Sequence, residues 1–490
     1  MHVTSLPGNY GTGDFGQEAF QFADMLKQAG QRYWQLLPLN PIEESKGCSP
    51  YSPLSAFAGN TLFINPEQLV YQKYLKSLPE ISLVTSTNQA DYPRAMEIKK
   101  ALIEDAYEYY RNHPNKRIEN EFRHFCEHES FWLDDYALFI TLKRKLRRPW
   151  FEWPVELRDR VPEAIQKTAK EQDVEMSREK YAQFLFIRQW QSLKAYCNEL
   201  GIQIIGDIPI YTSHDSADVW ANPQYWKLDR KKQMVRIAGV PPDYFNDKGQ
   251  LWNMPVYDWN LLKKEKYHWW IQRLRKNLEL FDIVRLDHFR GFSTYWEVKG
   301  GSVDAIRGKW LKGPAEEFFD TVIKAFPGMP FIAEDLGDVD QTVYDLRDRY
   351  NLPGMRILQF AFEGNMAKSV FIPHNYTENS VVYTGTHDNN TVKGWYKHEV
   401  SRKGKKNLNR YLGYKVKAKY CHKALIRETY KSIARIAIVP MQDILGLGGK
   451  NRMNFPSTET GNWLWRMKRK QLQIKHIKRL NRFCKIYGRV

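Results

Sequence analysis

A chain of 490 residues with 42% hydrophobic and 14% aromatic side chains carries enough apolar surface for a large buried core, which sets aside disorder and a single small domain. Its formal net charge of +18 raises nucleic acid as a partner, yet the excess is local: Glu428 is the only acid between positions 402 and 435, and none follows Glu459. Both stretches read as helices with a basic solvated face, and no zinc-finger, KH or aromatic RNA-binding signature accompanies them, so no specific nucleic-acid partner is expected.

From the amino terminus, Met1-His2-Val3-Thr4 lacks the charged and apolar regions of a signal peptide. An amphipathic segment over 20–29 leads into the first of seven short β-branched or aromatic runs, residues 32–39 (RYWQLLPL). Residues 60–200 carry long helical patterning, notably over 97–110 and 119–146, and predict an inserted, mostly helical subdomain. The helical stretch 181–200 precedes the second run, 202–210 (IQIIGDIPI). A Trp-, Pro- and Asp-rich segment over 211–266 shows little helical period and predicts an inserted loop or small sheet over a barrel mouth. A helix over 267–280 and the run 281–289 (FDIVRLDHF) follow. Further runs are 330–337 (PFIAEDLG), 354–360 (GMRILQF), 380–388 (SVVYTGTHD) and 435–445 (RIAIVPMQDIL).

Apolar runs separated by helices mark a buried parallel sheet, so the chain predicts an α/β protein, a (β/α)8 TIM barrel with one strand unaccounted for. An open doubly wound sheet is the competing arrangement, but no Gly-rich phosphate loop follows an early strand. No apolar run approaches the ~20 residues of a membrane span. The five cysteines are scattered, without C-x-x-C spacing or a nearby His cluster. These features predict a cytoplasmic protein with reduced thiols, no membrane partner and no metal site.

Four of the runs end in acids: Gly206-Asp207, Arg285-Leu286-Asp287-His288, Ala333-Glu334-Asp335 and Thr386-His387-Asp388. One acid there can cap the following helix. Four are harder to attribute to capping, because a parallel barrel gathers its C-terminal strand ends around one pocket. Clustered carboxylates without Cys or His-rich ligands suit either a divalent cation or glycoside transfer, in which one carboxylate attacks and another protonates the leaving oxygen. Arg285 lies two residues before Asp287, on the same face of its strand. A guanidinium there keeps Asp287 ionised and is a poor neighbour for a cation, which favours the sugar. Glu334, flanked by Ile332 and Ala333, is the natural proton donor.

Further motifs run nearly end to end: 2–8 (HVTSLPG), 10–16 (YGTGDFG), 49–53 (SPYSP), 55–60 (SAFAGN), 215–220 (DSADVW), 239–245 (GVPPDYF), 446–448 (GLG), 452–454 (RMN) and 461–463 (GNW). With them the chain resembles the amylomaltase, or disproportionating-enzyme, family of 4-α-glucanotransferases, relatives of the α-amylases. The resemblance implies transfer of an α-1,4-glucan segment to the 4-hydroxyl of glucose or another α-glucan, by a retaining double displacement that needs no cofactor. Maltooligosaccharides are then the partners. It implies Asp287 as nucleophile flanked by Arg285 and His288, and Glu334 as acid/base. It also implies His387 as a grip on substrate, with Asp388 as a third carboxylate that holds sugar hydroxyls and helps distort the ring. Asp207, Tyr51, Trp252, Asn454 and Asn462 are implied to touch donor glucose units, and Asp243 and Phe245 to sit in a lid. Family members usually carry an apolar first strand before the motif at 2–8, so the expectation is a barrel whose first strand is missing or stunted over residues 1–4.

Overall fold

The structure, a computed structural model, describes residues 1–80, 88–242 and 246–489. Each of the seven apolar runs contains one strand: β1 (Tyr33–Gln35), β2 (Gln203–Ile208), β5 (Ile283–Leu286), β8 (Phe331–Ala333), β9 (Gly354–Ile357), β10 (Ser380–Tyr383) and β11 (Ile436–Ile438). They form one sheet in the order β1-β2-β5-β8-β9-β10-β11, and every pairing is parallel. β8, β9 and β10 are buried along their whole length, as continuous apolar runs require when helices cover one face and the barrel interior the other. Ile205, Ile332, Met355, Ile357, Val381, Tyr383 and Ile436 pack together from five strands to fill that interior.

The strand order runs from β1 to β11 without a strand between them among the described residues. Residues Val3–Ser5 form a 3-10 turn, not a stunted strand. Their neighbourhood is nonetheless tied to β1: Trp34 Nε1 donates to the Met1 carbonyl at 2.7 Å, and the Leu37 amide to His2 Nδ1 at 3.3 Å. Met1, His2, Gln35, Tyr383, Ile438 and Val439 line a cavity of about 100 Å³ along this seam.

Long helices fill much of residues 60–200: Tyr92–Asn112, Lys116–His128, Ser130–Leu146 and Asp173–Glu199. The last of these leads directly into β2, and its glutamines hold the 59–65 segment by double hydrogen bonds. Gln183 pairs with both the N–H and the carbonyl of Gly59, and Gln189 does the same with Asn65. A second sheet is antiparallel, in the order β4-β3-β6-β7. β3 (Arg236–Val240) and β4 (Gln250–Pro255) fall within 211–266, whereas β6 (Thr294–Lys299) and β7 (Gly308–Lys312) lie beyond it.

Candidate active site

Backbone ladders continue past the strand ends and fix the acids in register. The Asp287 amide donates to the Ile208 carbonyl and the Glu334 amide to the Leu286 carbonyl, both at 3.1 Å, so β2, β5 and β8 carry their carboxyls to one rim. One strand position lower, Asp207 and Arg285 are direct cross-strand partners. Arg285 Nη1 donates to both oxygens of Asp207, at 2.8 and 2.9 Å, and to Asp287 Oδ1 at 2.8 Å. The Tyr51 hydroxyl donates to Asp207 Oδ2 at 2.7 Å. The Asp207 side chain is fully buried, whereas that of Asp287 keeps 26% exposure. Asp287 can therefore meet a substrate. Asp207 holds Arg285 and Tyr51.

Glu334 sits in the opposite electrostatic state. Burial raises its pKa well above the carboxyl range and the Asp287 charge adds to this, against the pull of Arg285 and of the His288 amide. That amide donates to Glu334 Oε2 at 2.7 Å. His288 has φ of 48°, a left-handed backbone uncommon outside glycine, directly beside the two carboxyls. Burial lowers the His288 imidazole to about 4, so it is neutral at physiological pH. Trp252 on β4 meets its ring edge to face, with centroids 4.8 Å apart. The small antiparallel sheet thereby brings an aromatic wall to the barrel rim.

The loop after β10 supplies the third part. His387 Nε2 lies 3.3 Å from Asp388 Oδ2, and Asn454 Nδ2 donates to Asp388 Oδ1 at 2.6 Å. Burial opposes charge on both partners, but the pair overcomes it: the His387 pKa is raised by the carboxylate, and that of Asp388 is depressed by the imidazolium and its hydrogen bonds. Tyr51 stacks on His387 with centroids 5.1 Å apart, and Trp463 closes the cluster at 5.7 and 5.8 Å from the two rings. Arg452 Nη2 donates to the Asp388 carbonyl at 2.6 Å, and the Asn454 amide to that of His387 at 3.2 Å. Asn462 is likewise engaged by its neighbours. Its Oδ1 accepts from the Phe455 amide at 2.9 Å, and its Nδ2 donates to the carbonyl and hydroxyl of Thr458. Its polar atoms are spent inside the loop that presents Asn454.

The cluster as a whole is one partly exposed ion-paired carboxylate, a buried carboxyl of raised pKa beside it, and a His387–Asp388 pair packed with Tyr51 and Trp463. A profile of the family described as 4-alpha-glucanotransferase matches residues 1–472. The chain is 42% identical over 491 residues to the 4-alpha-glucanotransferase of Aquifex aeolicus, covering 100% of this chain and 98% of that one. It is 44% identical over 494 residues to the enzyme of Synechocystis, covering 100% and 97%. The chain belongs to the 4-alpha-glucanotransferase family. Among solved structures, the amylomaltase from Streptococcus agalactiae in complex with acarbose superposes with a TM-score of 0.95 at 36% identity, over 100% of this chain and 98% of that one.

Within that 4-alpha-glucanotransferase framework, Asp287, Glu334, Asp388, Arg285, His288, His387, Tyr51, Trp252 and Asn454 converge on one rim, with Asp207 and Asn462 behind it. Asp243 and Phe245 lie outside the described residues. Trp463 and Arg452 were not singled out from sequence. Both stand in the motifs 461–463 and 452–454, one or two residues from an asparagine that was, so the motif rather than the single residue held the signal. Asp443 also escaped notice: it is buried, its Oδ2 accepts from Thr384 Oγ1 and its Oδ1 from the Val392 amide, both at 2.7 Å, and so it staples the two ends of the His387–Asp388 loop.

Proposed function

We propose that this chain transfers a segment of an α-1,4-glucan to the 4-hydroxyl of glucose or of another α-glucan by a retaining double displacement. The observation that carries the reading is the pairing of unlike carboxyls: Asp287 bound to Arg285, and Glu334 kept protonated beside it. Asp287 attacks the anomeric carbon while Glu334 gives its proton to the departing chain, which leaves a β-linked glucosyl ester on Asp287. Glu334, now a carboxylate, takes the proton of the acceptor 4-hydroxyl as that oxygen displaces Asp287, and the α configuration is restored.

The aromatic surfaces support a sugar as the substrate. Tyr51 and Trp252 give partly exposed aromatic rings at the rim, with Trp463 buried behind Tyr51, while Asp388, His387 and Asn454 supply ionic and amide partners for hydroxyls. Acarbose, the ligand of the Streptococcus agalactiae relative, is expected to occupy this cleft. The neighbouring guanidinium is a poor setting for a divalent cation among the same acids.

Incubation with maltotriose tests the reading. Glucose together with a ladder of longer maltooligosaccharides, at a constant number of reducing ends, is the expected result. Reducing ends that rise in step with bond cleavage would make the protein a hydrolase.

A further inference from the structure

The carboxyl cluster occupies the C-terminal ends of the barrel strands; one flank of the barrel carries a different chemistry. The helix Ile474–Ile486 buries His476, Ile477, Leu480 and Cys484 and turns Ile474, Lys478, Arg482 and Lys485 outward. Asn481 Nδ2 donates to the Gln28 carbonyl at 2.9 Å, just before β1. Arg489 Nε donates to the Tyr430 carbonyl at 2.7 Å, just before β11. Arg479 Nη2 donates to the Ile444 carbonyl at 2.7 Å, just after β11, so the terminal helix runs alongside the barrel, between the helices Gln17–Gln28 and Cys421–Lys431. Arg427 Nε donates to the Tyr487 hydroxyl at 2.7 Å and joins the helix Cys421–Lys431 to the same face.

This face is positive and almost free of acids. Among the described residues, the exposed cations of the helices Cys421–Lys431 and Ile474–Ile486 have a single carboxylate within 4.0 Å, that of Glu428 at 3.7 Å from Lys431 Nζ. It is also aliphatic. Ile433, Ile474 and Ile486 are 58%, 59% and 53% exposed, and no other isoleucine among the described residues exposes more than half its surface. Ile474, Ile477 and Ile486 floor an open groove of about 580 Å³, rimmed by Lys478, Arg482 and Lys485.

Each candidate partner places a different demand on such a face. A second copy would bring the same positive charge and is repelled. A nucleic acid uses stacking rings, but Lys419 and Lys423 already stand over the Tyr420 ring, 5.6 and 4.8 Å from its centroid, and exposed isoleucines have no part in reading phosphates. Aliphatic side chains set among lysines match a surface with an anionic outer layer over hydrocarbon. We propose that this flank of the barrel docks on an anionic lipid bilayer, its lysines and arginines on headgroup phosphates and Ile433, Ile474 and Ile486 in the interfacial layer. Among the described residues no helix is long and apolar enough to cross a membrane, and peripheral docking asks for none.

Co-sedimentation of the full chain with phosphatidylcholine vesicles, with and without an equal share of phosphatidylglycerol, tests the proposal. Pelleting is expected only with the anionic vesicles at about 0.05 M salt and is lost at about 0.5 M. Lys478→Glu with Arg482→Glu and Lys485→Glu lowers the partition coefficient about 10²-fold. Ile474→Gln with Ile486→Gln lowers it about tenfold. Both variants keep wild-type transfer from maltotriose, which shows that they fold. Absence of pelleting with anionic vesicles overturns the proposal. So does an isoleucine variant that pellets like the parent while both bind an RNA oligonucleotide at the same salt, which would assign the face to nucleic acid.

Discussion

Arg285 serves two acids through one nitrogen, and the difference between those acids is what their burial makes of them. Sealed beneath the guanidinium, Asp207 fixes its position; half in the cleft, Asp287 is free to react. Glu334→Gln keeps the shape of the acid but cannot transfer its proton. Turnover of maltotriose is expected to fall by about 10²–10⁴-fold. Formation of the glycosyl enzyme should recover with α-glucosyl fluoride, whose leaving group needs no protonation; failure to recover would remove the acid role. The pH dependence follows from the same residue. Because burial raises its pKa, Glu334 stays a donor at neutral pH, and kcat/KM falls on the alkaline side as that proton is lost. Asp287→Asn removes a like charge beside it and should lower the Glu334 pKa, read by infrared titration of its carboxyl band; an upward shift would contradict the account. Asp287 and Glu334 were legible because a barrel makes strand-end acids converge. Asp207 and Asn462 were named for their motifs, but sequence does not say whether a polar group faces sugar or is consumed by its neighbours, and only the hydrogen-bond count decides that.

At the scale of elements, short ties hold the working parts. Asp443, on the helix Met441–Leu445 after β11, binds Thr384 and Val392, the two ends of the loop that presents His387 and Asp388. Asp443→Ala leaves a buried amide and a hydroxyl unpaired, a loss of about 1–3 kcal/mol for each unsatisfied group. The loop should loosen with it, raising the KM for maltotriose more than it lowers kcat; an unchanged KM with reduced thermal stability would make the tie purely structural. β2 carries a second test. A Cβ on Gly206 would stand 2.1 Å from Cδ2 of Phe281, a ring 1% exposed. Gly206→Ala should cost about 1–3 kcal/mol in chemical denaturation, since the packed core has no room for the added methyl. The barrel strands were legible because each is a β-branched run between helices. β6 and β7 were not: Thr294–Lys299 mixes Trp, Glu and Lys with its apolar residues, and Gly308–Lys312 has a Trp and a Leu among its lysines. Their pairing with each other and with β3, rather than any local pattern, makes them strands.

At the scale of the molecule, the parallel barrel sorts its chemistry by surface. Strands that all run one way place the carboxyls at one mouth, while the basic terminal helix runs along the outside of the barrel. The count of seven strands was legible, and the expected gap in the eighth position is where Val3–Ser5 runs as a turn against β1. What ties the mouth together is less legible: the 384–391 loop depends on Asp443 and Asn454, 52 or more residues onward, and contacts of that range leave no periodic mark in sequence. The central claim is that the glucan passes through an ester on Asp287. The Glu334→Gln variant, given a maltosyl fluoride donor, lacks the base for the second step and should accumulate that ester. Mass spectrometry after rapid acid quench and proteolysis is expected to find one maltosyl increment, confined to the peptide that contains Asp287. An increment on another carboxylate, or a donor consumed with no labelled peptide at any time, would contradict the account.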